Sequence, residues 1–273
     1  TGIEKRHLVG EGQATSDMCT IIAKQLLEKS GKSAEEINLI LIATSTPDYL
    51  VVSTAALVQD KIGAINAWGY DIVAACTGFV YALETGAKLV ESGQYNNVMV
   101  IGADTMSSIV DYTDRNTCVI FGDGGGGVLL EPSKDETGIF DSILHLDGSG
   151  SKYLTVPAGG SLHPASKDTV DKKMHYVYQD GKTVFKFAVK NMADVSKKIL
   201  DNNQLTGDDI KLFIPHQANQ RIIDAAAKRC GLNAEKVFIN INKYGNTTAG
   251  TIPIALDEAV ESERLKKGDI LLL

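Results

Sequence analysis

Apolar residues follow two rhythms along this chain. The runs INLILIAT at 37–44 and NVMVIG at 97–102 are apolar on consecutive positions, which predicts strands covered on both faces. A third strand is expected over 68–74. Between them lie segments of helical period. One carries Ile21, Ile22, Gln25, Leu26 and Leu27 and stops at Gly31; a second spans 53–62; a third spans 76–93 and ends in Ser92-Gly93. This third segment is apolar almost all round (Phe79, Val80, Leu83, Ala87, Leu89, Val90), which predicts a central, buried helix. Alternating strands and helices predict an α/β fold with a largely parallel sheet.

The pattern then repeats. KSAEEINLILIAT at 32–44 matches LTGDDIKLFIPHQ at 205–217, and one offset relates both Ile37 to Ile210 and Val98 to Leu271. In each copy a strand, a loop of small residues, a buried helix and a closing strand follow: GYDIVAACTGFVYALETG in the first, VFININKYGNTTAGTIPIALDEA in the second. The helices ahead of the copies also correspond, because Phe185, Ala188, Val189, Met192 and Ile199 form one stripe. Two halves are expected, 1–137 and 138–273. Copy one continues through SSIVDYTDRNTCVIFGDGGGGVLLE, which has no counterpart after Leu273. On the repeat logic roughly 30 residues are expected beyond the C-terminal end, and a similar number before Thr1.

Composition narrows the class. The 273 residues suffice for a large core without staples. Cys19, Cys76, Cys118 and Cys230 are far apart with no CxxC pair, so a disulfide framework or zinc ribbon is not expected and the cytoplasm is. A net charge of -7, from 27 basic against 34 acidic residues, offers no global attraction to nucleic acid or an anionic membrane. No apolar run approaches the roughly 20 residues of a membrane span. TGIEKRH at the start lacks the features of a signal peptide.

Three residues stand where chemistry could occur. Cys76, in DIVAACTGF, joins a strand to the buried helix, and a thiol at a helix N-terminus is expected to favour thiolate; the bland reading is a core cysteine, which Cys19, Cys118 and Cys230 keep. His216, in FIPHQAN, ends the matching strand of copy two, where open α/β sheets place ligands. Asn246, in KYGNTTAGT, lies within three residues of the position equivalent to Cys76 and could equally be a helix cap. Together Cys, His and Asn make a coherent nucleophilic set. The run FGDGGGG at 121–127 lacks the GxxxxGK[ST] pattern and leads into the strand VLLE, so close backbone packing is expected rather than a phosphate loop. Lys186 and the helical trio Arg221, Lys228 and Arg229 form a basic face, whose plain reading is a solvated surface.

VAAC-TGF-YAL around Cys76, FGDG-GG-VLLE, PHQAN-RI at 215–222 and YGNTTAG at 244–250 together resemble the 3-oxoacyl-[acyl-carrier-protein] synthase III family, and the resemblance spans the chain. It implies a thiolase-like fold, two duplicated halves forming a five-layered αβαβα sandwich, and a homodimer. It also implies a decarboxylative condensation of an acyl-CoA primer, acetyl or short and branched, with malonyl-acyl carrier protein, initiating type II fatty acid synthesis. By the same resemblance Cys76 is the nucleophile and His216 and Asn246 complete the triad. Arg115 and Asn219 contact CoA and its pantetheine, Phe121 lines the acyl pocket, and Lys186, Arg221, Lys228 and Arg229 dock the carrier protein. Neither metal nor cofactor is implied, CoA being part of a substrate. The family's adenine-sandwiching Trp and Arg would precede Thr1, and its FGGG-type segment would follow Leu273. A position lining the primer pocket from the dimer partner falls near Val51. A condensing enzyme of polyketide or secondary metabolism shares the Cys-His-Asn set and stays open as an alternative, as does a Cys-His-Asn hydrolase; a biosynthetic thiolase would need a second catalytic cysteine.

Overall fold

The computed structural model describes residues 1–135 and 137–273. Its elements in chain order are helix α1 (Thr15–Ser30), strand β1 (Leu39–Ala43), α2 (Thr54–Ile62), β2 (Trp68–Ile72), α3 (Gly78–Glu91), β3 (Val98–Asp104) and β4 (Gly124–Leu130). There follow β5 (Leu154–Thr155), α4 (Lys167–Asp171), β6 (Tyr178–Gln179), α5 (Gly181–Asn202), β7 (Leu212–Phe213), α6 (Gln220–Arg229), α7 (Ile241–Tyr244), α8 (Thr251–Glu261) and β8 (Leu271–Leu272). The predicted helix boundaries hold for local reasons. Gly31 and Gly63 adopt left-handed φ values of 70° and 72° that close α1 and α2, and the Ser53 hydroxyl accepts from Ala56 N at the start of α2.

The first sheet has the order β2-β1-β3-β4, parallel except for the antiparallel β4. In the second, β7 pairs in parallel with β8 and makes a single bridge to Val237 on its other side. The repeat inferred from the offset is reproduced in the registers: Leu39 pairs with Val98 in one sheet, and Leu212 with Leu271 in the other. The regular strand expected near VFININ is reduced to that bridge, because the chain turns at the buried Asn240 into α7.

Side-chain alternation stacks the layers. Ile40 and Ile42 face α1 and α2, while Leu39, Leu41 and Ala43 face α3 and the start of α8. Leu212 and Ile214 pack on the other side of α8 through Ala255 and Ala259, and Phe213 turns outward to α6. Two sheets thus alternate with three helical layers, the αβαβα sandwich. The helix expected to be buried all round is buried on one face only: Phe79, Ala82 and Gly86 meet the sheet, whereas Val80, Tyr81 and Leu83 line a cavity.

Glycines let the halves touch by their backbones. A side chain on Gly102 of β3 would strike Ala249 O, and one on Gly250 would lie 2.5 Å from Gly124 O. The glycine run of β4 is therefore a packing surface for the turn before α8, as the absence of a phosphate-loop pattern led us to expect.

Candidate active site

Cys76 occupies a single 3-10 turn, Ala75–Thr77, set between β2 and α3. Ala75 holds a φ of 47°, a conformation a residue with a Cβ rarely adopts, and this sharp turn directs Cys76 toward the second half of the molecule. Burial pushes its thiol up to about 12, assisted by the charge of Asp104; the backbone N–H of Cys76 and the Asn246 side chain pull the other way without prevailing. The expected shift toward thiolate is therefore reversed. Cys76 precedes the first residue of α3 by two positions, and desolvation outweighs whatever the helix N-terminus supplies.

Asn246 is fixed through its backbone and its side chain. Its N–H donates to Ile120 O (3.0 Å) and its carbonyl accepts from Gly122 N (3.1 Å), so it forms a bridge with Phe121. Gly245, at φ 70°, makes the preceding bend; a side chain there would meet Ile120 O at 2.9 Å. The Thr248 N–H donates to Asn246 Oδ1 (2.9 Å), which identifies the oxygen of the amide and leaves Nδ2 to donate toward Cys76.

His216 follows β7 in a turn pinned by the buried Gln217, whose amide donates to Pro215 O (2.8 Å) and Phe238 O (3.1 Å) and accepts from Asn240 N (3.1 Å). Nδ1 of His216 lies 2.6 Å from Thr251 Oγ1. Burial lowers the imidazole to about 4, so the ring is neutral near pH 7.

Asp104, at the end of β3 and fully buried, ties the two halves together. Its Oδ1 accepts from Ser45 N (2.6 Å) and from the Thr44 and Thr46 hydroxyls (3.1 Å each), and its Oδ2 accepts from Ala249 N (3.1 Å). Burial raises it to about 6 despite these donors.

Cys76, His216 and Asn246 line one cavity of about 1500 Å³, together with Phe121 and Asn219. Asn219 spends its Oδ1 on the N–H of Arg221 at the start of α6 (3.1 Å). Lys186 and Arg221 also border the cavity, the Arg221 guanidinium lying 4.9 Å from the centre of the Phe185 ring. Lys228 and Arg229 lie about two turns further along α6, and Arg229 makes an ion pair with Asp194 at 3.5 Å. Arg115 is exposed in the turn after Asp111 and does not border the cavity. Thr251, Asp104 and Gln217 escaped the sequence reading: each resembles an ordinary helix start, strand end or turn residue, and its partner is remote in the chain. Among the described residues no helix is long and apolar enough to cross a membrane.

Comparisons with known proteins place the chain in a family. Residues 70–148 match the model for 3-oxoacyl-[acyl-carrier-protein (ACP)] synthase III, and residues 200–273 the model for its C-terminal part. The chain is 55% identical, over its whole length and 83% of the relative, to the beta-ketoacyl-[acyl-carrier-protein] synthase III of Koribacter versatilis. It is 56% identical to that of Chlorobaculum tepidum, covering 84% of it. Among solved structures, the 3-oxoacyl-[acyl-carrier-protein] synthase III of Aquifex aeolicus superposes with a TM-score of 0.90 at 40% identity, over 99% of this chain and 83% of that one.

Proposed function

Because this chain belongs to the 3-oxoacyl-[acyl-carrier-protein] synthase III family, an acyltransferase family, we propose that it condenses an acyl-CoA primer with malonyl-acyl carrier protein at Cys76, His216 and Asn246. The observation that carries this reading is that Cys76, His216 and Asn246, from three separate turns, line one cavity. The sulfur of Cys76 attacks the primer thioester, the acyl group moves to Cys76, and the thiol proton ends on the departing CoA sulfur. Malonyl-carrier protein then enters. Nδ2 of Asn246 and Nε2–H of His216 donate to its thioester oxygen, where negative charge accumulates as CO2 leaves. The resulting enolate carbon attacks the acyl-Cys76 carbonyl, and Cys76 departs as thiolate and regains a proton from water, the one proton the overall reaction takes up. A neutral imidazole suits this task, since a donor is needed and a full charge is not. Both electrophiles are thioesters, so the chemistry asks for no metal or further cofactor.

The basic residues Lys186, Arg221, Lys228 and Arg229 fit an acidic carrier protein, with the first two beside the cavity mouth and the others extending the surface along α6. Arg115 is assigned to CoA on family resemblance alone. Strand β2 is a sheet edge, and Leu50, Val51 and Val73 stand at 89%, 95% and 76% exposure; this favours a homodimer with Val51 offered to the partner's primer pocket. Free thiols at all four cysteines fit a cytoplasmic enzyme.

Labelled acetyl-CoA and malonyl-carrier protein, followed separately for acyl transfer and CO2 release, test the assignment. Cys76→Ala should lose acylation. His216→Ala and Asn246→Ala should keep acylation and lose decarboxylation by about 100- to 1000-fold each. Label retained covalently by Cys76→Ala would remove Cys76 as the nucleophile.

A further inference from the structure

The hydroxyl of Thr251, 2% exposed at the first position of α8, has two neighbours able to share its proton: Nδ1 of His216 at 2.6 Å and the carbonyl of Thr248 at 3.4 Å. A threonine at the start of a helix commonly donates back to a carbonyl three or four residues earlier. Here that carbonyl lies beyond the range of a good O–H donor bond, about 2.5–3.0 Å, whereas the histidine nitrogen lies within it.

We propose that Thr251 is a positioning residue that holds His216 in the tautomer with its proton on Nε2, by donating its own hydroxyl proton to Nδ1. With Nδ1 acting as acceptor, a neutral imidazole must carry its proton on Nε2. His216 then presents a donor to the cavity and no lone pair. It is thereby suited to the thioester oxygen of the malonyl group and unsuited to taking the proton of Cys76. The placement of Thr251 depends in turn on the other half of the molecule: Asp104 grips Ala249 N two residues upstream, and Gly250 lies against the backbone of β4. The inference rests on His216 acting in the decarboxylation step.

The protein has five histidines, so labelling them with 15N and identifying His216 by the signal lost in His216→Gln is practical. The wild-type spectrum should show an unprotonated Nδ1 and a protonated Nε2. In Thr251→Val, which keeps the shape and removes the hydroxyl, the two tautomers should mix, and CO2 release from malonyl-carrier protein should fall at least about tenfold relative to acyl transfer. Thr251→Ser should restore both the spectrum and the ratio. A protonated Nδ1 in the wild type, or a tautomer unchanged in Thr251→Val, overturns the proposal; the wild-type spectrum decides even if the valine variant does not fold. Persistent acylation of Cys76→Ala would overturn the functional assignment instead, and would leave the tautomer result standing.

Discussion

Replacing His216 with glutamine should make the protein less sensitive to acid, although it removes a group from the proposed site. Burial lowers His216 from the ordinary 6.5 to about 4 in the native state. Between those pH values the unfolded chain binds a proton that the native protein refuses, so native stability falls as the pH falls. At about 1.4 kcal/mol per pH unit the loss is at most about 3.5 kcal/mol, a ceiling because His216 keeps some surface on the cavity. Asp104 acts in the opposite sense. Burial raises it from 3.8 to about 6, so between these values the native state binds the proton first and stability rises as the pH falls, by about 3 kcal/mol. In the wild type the two effects offset each other between about pH 4 and 6. His216→Gln leaves the Asp104 effect alone and should gain up to about 3.5 kcal/mol on the wild type between pH 7 and 4; Asp104→Asn should lose a similar amount over that range, beyond any constant cost. Urea unfolding at half-unit pH intervals measures this. The difference between variant and wild type removes the contribution of other carboxylates, such as Asp111, held near 2 by the Lys173 ammonium and Thr113. A His216→Gln difference constant within about 0.5 kcal/mol across the range would refute the reasoning.

Gly250→Ala should destabilise by steric overlap alone, because Gly250 has an ordinary φ of -77° and the new methyl would press on Gly124 O at 2.5 Å. A cost of about 2–3 kcal/mol is expected, or roughly 5–10 °C in Tm, and an unchanged melting curve would mean that the backbone of β4 yields freely. For the docking face, Lys228→Glu is a cleaner probe than a change at Arg221, since Lys228 does not border the cavity. It should raise KM for malonyl-carrier protein several-fold at low salt and leave acyl-CoA use alone, whereas equal effects on both substrates would count against docking on α6.

The layers were legible because the periodicities that define them are local: consecutive apolar residues make β1 and β3, and one apolar stripe marks α6, with Ile222, Ile223, Ala226 and Ala227 buried as its spacing predicts. The duplication was legible because the offset survived in the strand registers. The side chains that set the chemistry of the site were harder to see. Asp104 ends the apolar run VMVIGAD, and Ala249, whose N–H it accepts, lies 145 residues away in sequence. No periodicity announces such a pairing. The Cys76 shift runs against the sequence expectation for a related reason. The position of a helix N-terminus can be read from a sequence, but the desolvation that opposes it depends on what the other half of the molecule stacks above the sulfur.

The duplicated turns explain why one fold yields two kinds of chemistry. The offset that relates the sheets also relates the turn Ala75–Thr77 to Thr248–Gly250, and the helix beginning at Gly78 to the one beginning at Thr251. Both turns open on a residue forced to positive φ, Ala75 at 47° and Thr248 at 53°, and the two turns pack against one another. Retaining the same uncommon backbone in both copies preserves a geometry that projects the next side chain out of its own layer. In the first copy that side chain is Cys76. In the second it is Ala249, whose small methyl allows its N–H to reach Asp104 and its carbonyl to lie against Gly102. On the proposed assignment the polar groups of the second copy flank the turn: Asn246 ahead of it, and Thr251, equivalent to Gly78 of the first copy, behind it. A cysteine at position 249 as well would bring two thiols together and replace the small residue whose N–H reaches Asp104. Divergence at three positions about a conserved strained turn places sulfur on one side of the contact and hydrogen-bond donors on the other.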